Sequence, residues 1–374
     1  MEGVGATPDE RRIVALDGFR GALTLMVIIS HYFGEVTHGI KATMVGWVGV
    51  GGFFVLSGFL IGRLILDRKD RANFFAVFYI RRICRILPPY LITVAVLSAL
   101  LMFVQAPWRD ADVELPFWTY LLFVQNFAMV ATQSIGAHWL APTWTLAVEE
   151  HFYLAAPAML VFTPRRWLVP LLLACCGLAL SMRIAIFYFG FLNSHGGHAL
   201  IFSLADTLAI GILAAIAVRE ERIDWARWGR AMAYIPAAGL GAIWALKLGD
   251  QRLYEVLRPT LLAIAAASFI LCVIGDLPLG QRMKSKTLQF FGNNGYCLYL
   301  THLAVLGVMH GLILGTRPDL ATWQQWGVTL LSLPSCVLVG WAMTRFVEEP
   351  LTRYGRSWRW SERRRAGSLL APAE

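Results

Sequence analysis

Long apolar stretches, broken by short clusters of arginine, glycine and proline, set the pattern of this sequence. Residues 14–33, 45–66 and 86–103 each run close to the roughly 20 apolar residues needed to cross the hydrocarbon of a bilayer. Continued along the chain, the pattern predicts helices over 13–33, 45–66, 86–105, 143–162, 167–189, 199–218, 231–248, 258–275, 287–314 and 325–348. One further run, 116–130, is too short to span and is expected to be re-entrant or interfacial. The expected fold is all-α: a polytopic integral membrane protein of about ten transmembrane helices plus that short segment.

Composition agrees, with 57% of residues apolar and 15% charged against roughly 45–50% and about 25% in soluble chains. A soluble fold could not bury so much apolar surface. The first apolar run is too long for a signal-peptide core and lacks a small-residue cleavage site, so it is expected to stay as a helix. No low-complexity linker, repeat or second soluble domain interrupts the pattern. Residues 1–374 are therefore expected to form a single membrane domain, with 1–12 a cytoplasmic N-terminal segment and 353–374 a basic cytoplasmic tail.

The net charge of +9 could suggest nucleic acid, but its distribution decides otherwise. With the N-terminus inside, the even-numbered connections carry Arg68, Lys69, Arg71, Arg81, Arg82 and Arg85, then Arg165 and Arg166, then Arg219, Arg222, Arg227 and Arg230, then Arg282, Lys284 and Lys286. The tail adds Arg353, Arg356, Arg359 and Arg363 to Arg365, whereas the odd connections and their flanks carry Lys41, Arg109, Lys247, Arg252, Arg258 and Arg317. This bias places both termini in the cytoplasm. The lipid bilayer is the expected partner and nucleic acid is not. Six cysteines lie in or beside apolar segments with neither metal-ligand spacing nor the loop pairing of a disulfide framework, so packing thiols and no metal are expected.

Ionisable groups inside spans are costly and mark candidate sites. Arg20 and His31 are eleven residues apart, roughly 1100° or some 20° beyond three helical turns, so they share a face about 16 Å apart. Asp17, Thr24 and Glu35 fall near the same stripe; an Asp17–Arg20 pair plus a satisfied histidine is the competing structural reading. Ser57 lies in a glycine-rich helix and has no local base, so packing is favoured over a nucleophile there. Arg81, Arg82 and Arg85 stand in a loop at the mouth of the third helix, where guanidinium forks suit phosphates and ordinary topology explains the same charges. Glu149 and Tyr153, four apart, share a face, while Glu150 points about 100° away; one of the acids can pair with a buried arginine such as Arg183. Tyr296, Tyr299 and His302 follow at three-residue steps. The run Val347-Glu348-Glu349-Pro350 reads as a helix end, with Glu349 and Arg353 as a charge pair.

The order of these motifs resembles the membrane acyltransferase-3 family, which includes bacterial O-antigen and exopolysaccharide O-acetyltransferases. The matching pieces are Leu16-Asp17-Gly18-Phe19-Arg20-Gly21 with His31, Gly51 to Phe59, Arg82-Ile83-Cys84-Arg85, Trp144 to Tyr153, Ser203 to Gly211 with Asp206, Tyr296 to His302, and Val347-Glu348-Glu349-Pro350. They extend over nearly the whole chain. The resemblance implies a bacterial plasma (inner) membrane enzyme that takes cytoplasmic acyl-coenzyme A, chiefly acetyl-coenzyme A, as donor and a carbohydrate or glycolipid hydroxyl as acceptor. It also implies catalytic roles for Arg20 and His31, with Arg82 and Arg85 at the donor site. Many members carry a further C-terminal hydrolase-like domain; here the membrane part is expected to complete its chemistry unaided.

The expected mechanism makes His31 the general base, Glu149 its orienting or charge-balancing partner and Arg20 the stabiliser of negative charge, with Arg81, Arg82 and Arg85 holding coenzyme A phosphates. Glu150, Tyr153, Ser57, His302 and His138 are expected around the acceptor. An acyl-enzyme on His31 or Ser57 stays open. The alternative from another class is a transporter or flippase, whose polar stripe would line a solute path; neither inverted repeats nor paired broken helices accompany it.

Overall fold

The computed structural model describes residues 13–104, 106, 108, 114–221 and 224–362, with the backbone alone for residues 225–227, 230 and 279. The N-terminal segment 1–12, Arg109, Arg222 and the end of the basic tail from residue 363 lie outside the described residues, as do the side chains of Arg227 and Arg230.

Helices dominate, in the order α1 (Val14–Ile29), α2 (Gly46–Arg68), α3 (Phe74–Phe103), α4 (Phe117–Leu121), α5 (Gln125–Thr132), α6 (Thr143–Phe162), α7 (Arg165–Phe189), α8 (Ser194–Ala199), α9 (Ile201–Arg219), α10 (Trp225–Gly249), α11 (Gln251–Ile274), α12 (Pro278–Gln281), α13 (Lys286–Leu314), α14 (Trp323–Met343) and α15 (Glu349–Ser357). No strand forms among the described residues. Among the described residues nine helical spans are long and apolar enough to cross a membrane, making this a multi-pass membrane protein. The one expected span outside those nine, α6, has 20 residues, about 30 Å and so enough to cross, but Glu149, Glu150 and His151 make it less apolar than the rest.

The short run before α6 forms α4 and α5, of 5 and 8 residues, too short to span. Here the buried Gln125 amide donates to Thr143 O and the buried Asn126 amide to Trp144 O and Ala199 O, pinning the start of α6 to the α8–α9 break.

Successive long spans alternate in direction. One end of the bundle collects the α2–α3 connection, the start of α7, the end of α9 and the residues after α15, joined by Arg219–Asp67 at 2.8 Å, Arg165–Glu220 at 3.1 Å and Arg71–Glu362 at 2.9 Å. The start of α1 lies there too, against Met283. At the opposite end Thr37 bridges to Asp319, tying the segment after α1 to the α13–α14 connection. The arginine-rich connections therefore share one end of the molecule, as their spacing predicts.

Small residues let the central helices touch. A side chain at Gly21 or Gly292 would collide with the backbone of the facing helix where α1 crosses α13, and Gly58 and Gly211 play the same part between α2 and α9. Such close approach substitutes dispersion contact for the hydrophobic effect, which is absent between helices in lipid. A buried polar cluster ties α7, α9 and α11: Arg183 pairs with Asp206 at 2.7 Å, and it also donates to Val256 O, Ser203 O and the Thr260 hydroxyl. Both ionic partners are fully buried. Arg183 is thus Asp206's partner, not that of a glutamate on α6, because α9 and not α6 packs its polar position against α7.

Of the helix boundaries that differ from expectation, two bear on the site. Helix α3 begins at Phe74, twelve residues before 86, because Phe74, Val77 and Phe78 bury an apolar face ahead of the arginines. Arg81, Arg82 and Arg85 are therefore on a helix and not in a loop. The last span does not stop at Pro350: a π-helical turn, Thr344–Glu348, leads into α15, and Pro350 occupies its first turn, where its missing N–H is not needed.

Candidate active site

A cavity of about 150 Å³ opens between α1, α2, α3, α6 and α13. Its lining includes the polar side chains of Arg20, Ser57, Arg82, Arg85, Glu149 and Tyr153, with Thr145, Tyr296 and Tyr299 completing the polar set; Phe53, Phe54, Ile61, Ile86 and Leu146 supply apolar wall. Three guanidinium groups against one carboxylate make it a site for an anionic ligand with an apolar portion.

Each polar group is held from behind. On α6 the i, i+4 spacing brings Glu149 and Tyr153 together, Tyr153 donating to Glu149 Oε2 at 3.1 Å and Ser57 of α2 donating to Oε1 at 2.8 Å. Arg82 lies over the Tyr153 ring at 5.6 Å. Arg85 faces Glu348 at 3.6 Å, and Glu348 in turn accepts from the buried Cys297 thiol at 3.4 Å. Arg20 takes Asp17 as a partner at 3.3 Å and lies near enough to Arg85 and Glu149 to feel their charge. The Asp17–Arg20 pair exists, then, without withdrawing Arg20 from the cavity.

Pro88 and Pro89 remove two rungs of helical hydrogen bonding just beyond Arg85. Within this weakened stretch Tyr296 of α13 donates to Ile86 O at 2.8 Å. At the far end of the cavity Tyr299 and Thr145 are joined hydroxyl to hydroxyl at 3.0 Å.

Behind Tyr299 stands a second group of polar residues. The Tyr299 ring lies 5.6 Å from that of His302, and the His302 ring lies 4.9 Å from that of His31. His31 sits in a π-helical turn, Ser30–Gly34, that continues α1, and Glu35 follows directly. The wider turn, a feature often found at functional sites, brings Glu35 Oε2 to 3.4 Å from His31 Nε2. His138, in the 3₁₀ turn His138–Leu140 just before α6, lies close enough to His302 to act on it electrostatically.

The expected residues thus fall into two linked groups. Arg20, Ser57, Arg82, Arg85, Glu149 and Tyr153 meet at the cavity; His31, His302 and His138 gather beyond it. Glu150 lies outside the lining, near Arg82. Arg81 faces the other side of α3, donating to Trp358 O at 2.8 Å and stacking on Trp360 at 5.0 Å. Glu149 does not hold His31: its oxygens are taken by Ser57 and Tyr153, and His31 is contacted by Val27 O, His302 and Glu35. Glu348 and Thr145 were not expected at the site. For Glu348 the usable signal was a carboxylate inside the last apolar run, and for Thr145 its place in the motif Trp144 to Tyr153. Among the described residues no group of three His, Cys, Asp or Glu is placed to hold a metal ion.

A family model described as an acyltransferase domain matches residues 13–345, taking in every residue of both groups. The chain belongs to the membrane acyltransferase-3 family. Among proteins similar to this acyltransferase-3 chain is the peptidoglycan O-acetyltransferase of Listeria monocytogenes serovar 1/2a, 24% identical over 364 residues that cover 92% of this chain and 56% of that protein. A Bacillus subtilis (strain 168) protein, named by inference as a peptidoglycan O-acetyltransferase, is 24% identical over 373 residues, 93% of this chain and 56% of its own length. A Staphylococcus aureus (strain COL) protein, named by inference as an O-acetyltransferase, is 23% identical over 372 residues, 92% and 58% respectively. The chain spans a little over half the length of these relatives. No solved structure matches it.

Proposed function

We propose that the protein is an O-acyltransferase of a bacterial plasma membrane that moves an acetyl group from acetyl-coenzyme A to a carbohydrate hydroxyl. The observation that carries this reading is the order along one cavity: Arg82 and Arg85 toward one end, Tyr299 at the other, and His31 with His302 directly behind. Guanidinium forks suit the donor's phosphates, and the apolar walls suit its pantetheine arm and acyl group. The arginine-rich end faces the cytoplasm, with both termini, in keeping with the positive-inside bias. The names of the relatives support a carbohydrate acceptor, with peptidoglycan foremost.

In the transfer step the acceptor hydroxyl gives its proton to His31 and its oxygen bonds to the acyl carbon. The carbon–sulfur bond then breaks, and the electron pair leaves with the thiolate. General-base assistance of this kind is worth about 10²–10⁴-fold. Arg20, in the cavity wall beside Arg82 and Arg85, offers positive charge to the anionic donor.

Purified protein incubated with radiolabelled acetyl-coenzyme A and peptidoglycan glycan fragments tests this reading. Label appearing in the glycan with stoichiometric thiol release, and lost in His31→Ala, supports it. Thiol release unchanged in His31→Ala, or label retained on the protein in the absence of glycan, contradicts direct transfer through His31.

A further inference from the structure

The protons on the two histidines can be assigned from their acceptors. A backbone carbonyl only accepts a hydrogen bond. His302 Nδ1 lies 2.7 Å from Tyr299 O and so carries a hydrogen. His31 Nδ1 lies 2.9 Å from Val27 O and carries one too. The same His31 Nδ1 is 3.1 Å from His302 Nε2, which is therefore the bare, accepting nitrogen.

His302 is fully buried, with both nitrogens engaged, and stands behind His31 instead of against a substrate. The free nitrogen of His31 is Nε2. It faces Glu35 Oε2 at 3.4 Å, while the buried Ser30 hydroxyl donates to Glu35 Oε1 at 2.7 Å. A proton taken up at Nε2 therefore has a carboxylate oxygen within reach. Glu35 is also the member of the group that reaches solvent, its side chain 40% exposed.

We propose that His302 is a positioning residue that fixes the ring of His31 so that Nε2 handles the acceptor's proton, and that Glu35 is the outlet for that proton. The inference rests on the acyl-transfer reading above and adds to it the path of the proton. The acceptor O–H bond breaks and its proton passes to His31 Nε2. From there it passes to Glu35 Oε2 and on to water, leaving Nε2 bare for the next acceptor. The thiolate released from the donor takes a proton from solution at the arginine-rich end. Glu149 takes no part in this path.

The test uses the full chain in detergent with radiolabelled acetyl-coenzyme A and peptidoglycan glycan fragments, reading kcat and the donor KM separately. His302→Leu is expected to lower kcat by about tenfold or more with the donor KM unchanged, because an unheld ring loses its alignment. His302→Gln, whose amide oxygen accepts from His31 Nδ1, is expected to recover much of that loss. Glu35→Gln is expected to lower kcat in the same way, and Glu35→Asp to recover part of it. Equal losses in His302→Leu and His302→Gln, or a raised donor KM with kcat intact, overturn the proposal. Nitrogen-15 histidine spectra of the wild-type protein give a reading independent of turnover: His302 is expected as the neutral form with hydrogen on Nδ1, and hydrogen on Nε2 overturns the assignment. Expected spectra with no acetyl transfer by the wild type would overturn the acyl-transfer reading and the proton path built on it, while leaving the ring assignment standing.

Discussion

Glu348, on the last span, points inward and stands 3.6 Å from Arg85 of α3, where it also receives the Cys297 thiol. A carboxylate in this position aims the guanidinium instead of ending a helix. Glu348→Gln removes the charge and keeps the shape, so Arg85 loses its anchor but not its space. The expected result is a rise of about tenfold in the KM for acetyl-coenzyme A, with kcat little changed, in initial-rate measurements. An unchanged donor KM would mean that Arg85 is held without Glu348.

Arg81 offers a contrast on the same helix. Its guanidinium is committed to Trp358 O and the Trp360 ring, away from the cavity. Arg81→Ala is expected to leave the donor KM within about twofold, whereas Arg82→Ala or Arg85→Ala raises it by about tenfold or more. Titrating acetyl-coenzyme A against each variant decides the matter.

The Arg183–Asp206 pair is fully buried and linked to Thr260. Removing one partner leaves an uncompensated charge, so Arg183→Met or Asp206→Leu alone is expected to cost about 3–5 kcal/mol of stability. The double variant Arg183→Met with Asp206→Leu is expected to recover most of it. Denaturant unfolding of the detergent-purified proteins supplies the three values.

At the other end of the bundle Asp319 accepts from His38 at 2.9 Å and from the backbone N–H of Leu320 and Ala321. Burial acts to raise its carboxyl, but those hydrogen bonds outweigh it and hold the group below the usual carboxylate range. Its contribution is complete above a pH of about 4 and is lost as the pH falls through the lowered value. Hydrogen exchange over residues 36–40 and 317–321 is expected to accelerate on acidification below that point, and Asp319→Asn to remove this dependence.

The spans were legible because lipid demands long apolar runs, and a run such as 287–314 carries that demand on its face. The start of α3 was not, because the arginines at 81, 82 and 85 look like a solvated loop until Phe74 and Phe78 are seen buried ahead of them. Arg20 and His31 could be placed on one stripe by helical geometry alone. The two π-helical turns could not be foreseen, and each delivers a carboxylate, Glu35 or Glu348, to the site. Such turns are set by tertiary packing more than by local propensity. Pairings between distant spans, such as Arg183 with Asp206 in place of an α6 glutamate, likewise depend on which helices touch.

In the proposed reaction donor and acceptor meet from opposite ends of one cavity, the donor entering at the arginine-rich end. Proteoliposomes of uniform orientation test it most directly, with radiolabelled acetyl-coenzyme A supplied to one face and peptidoglycan glycan fragments to the other. Labelled glycan is expected only when acetyl-coenzyme A is on the face that exposes the α2–α3 and α6–α7 connections. Equal labelling with the donor on the other face would contradict it.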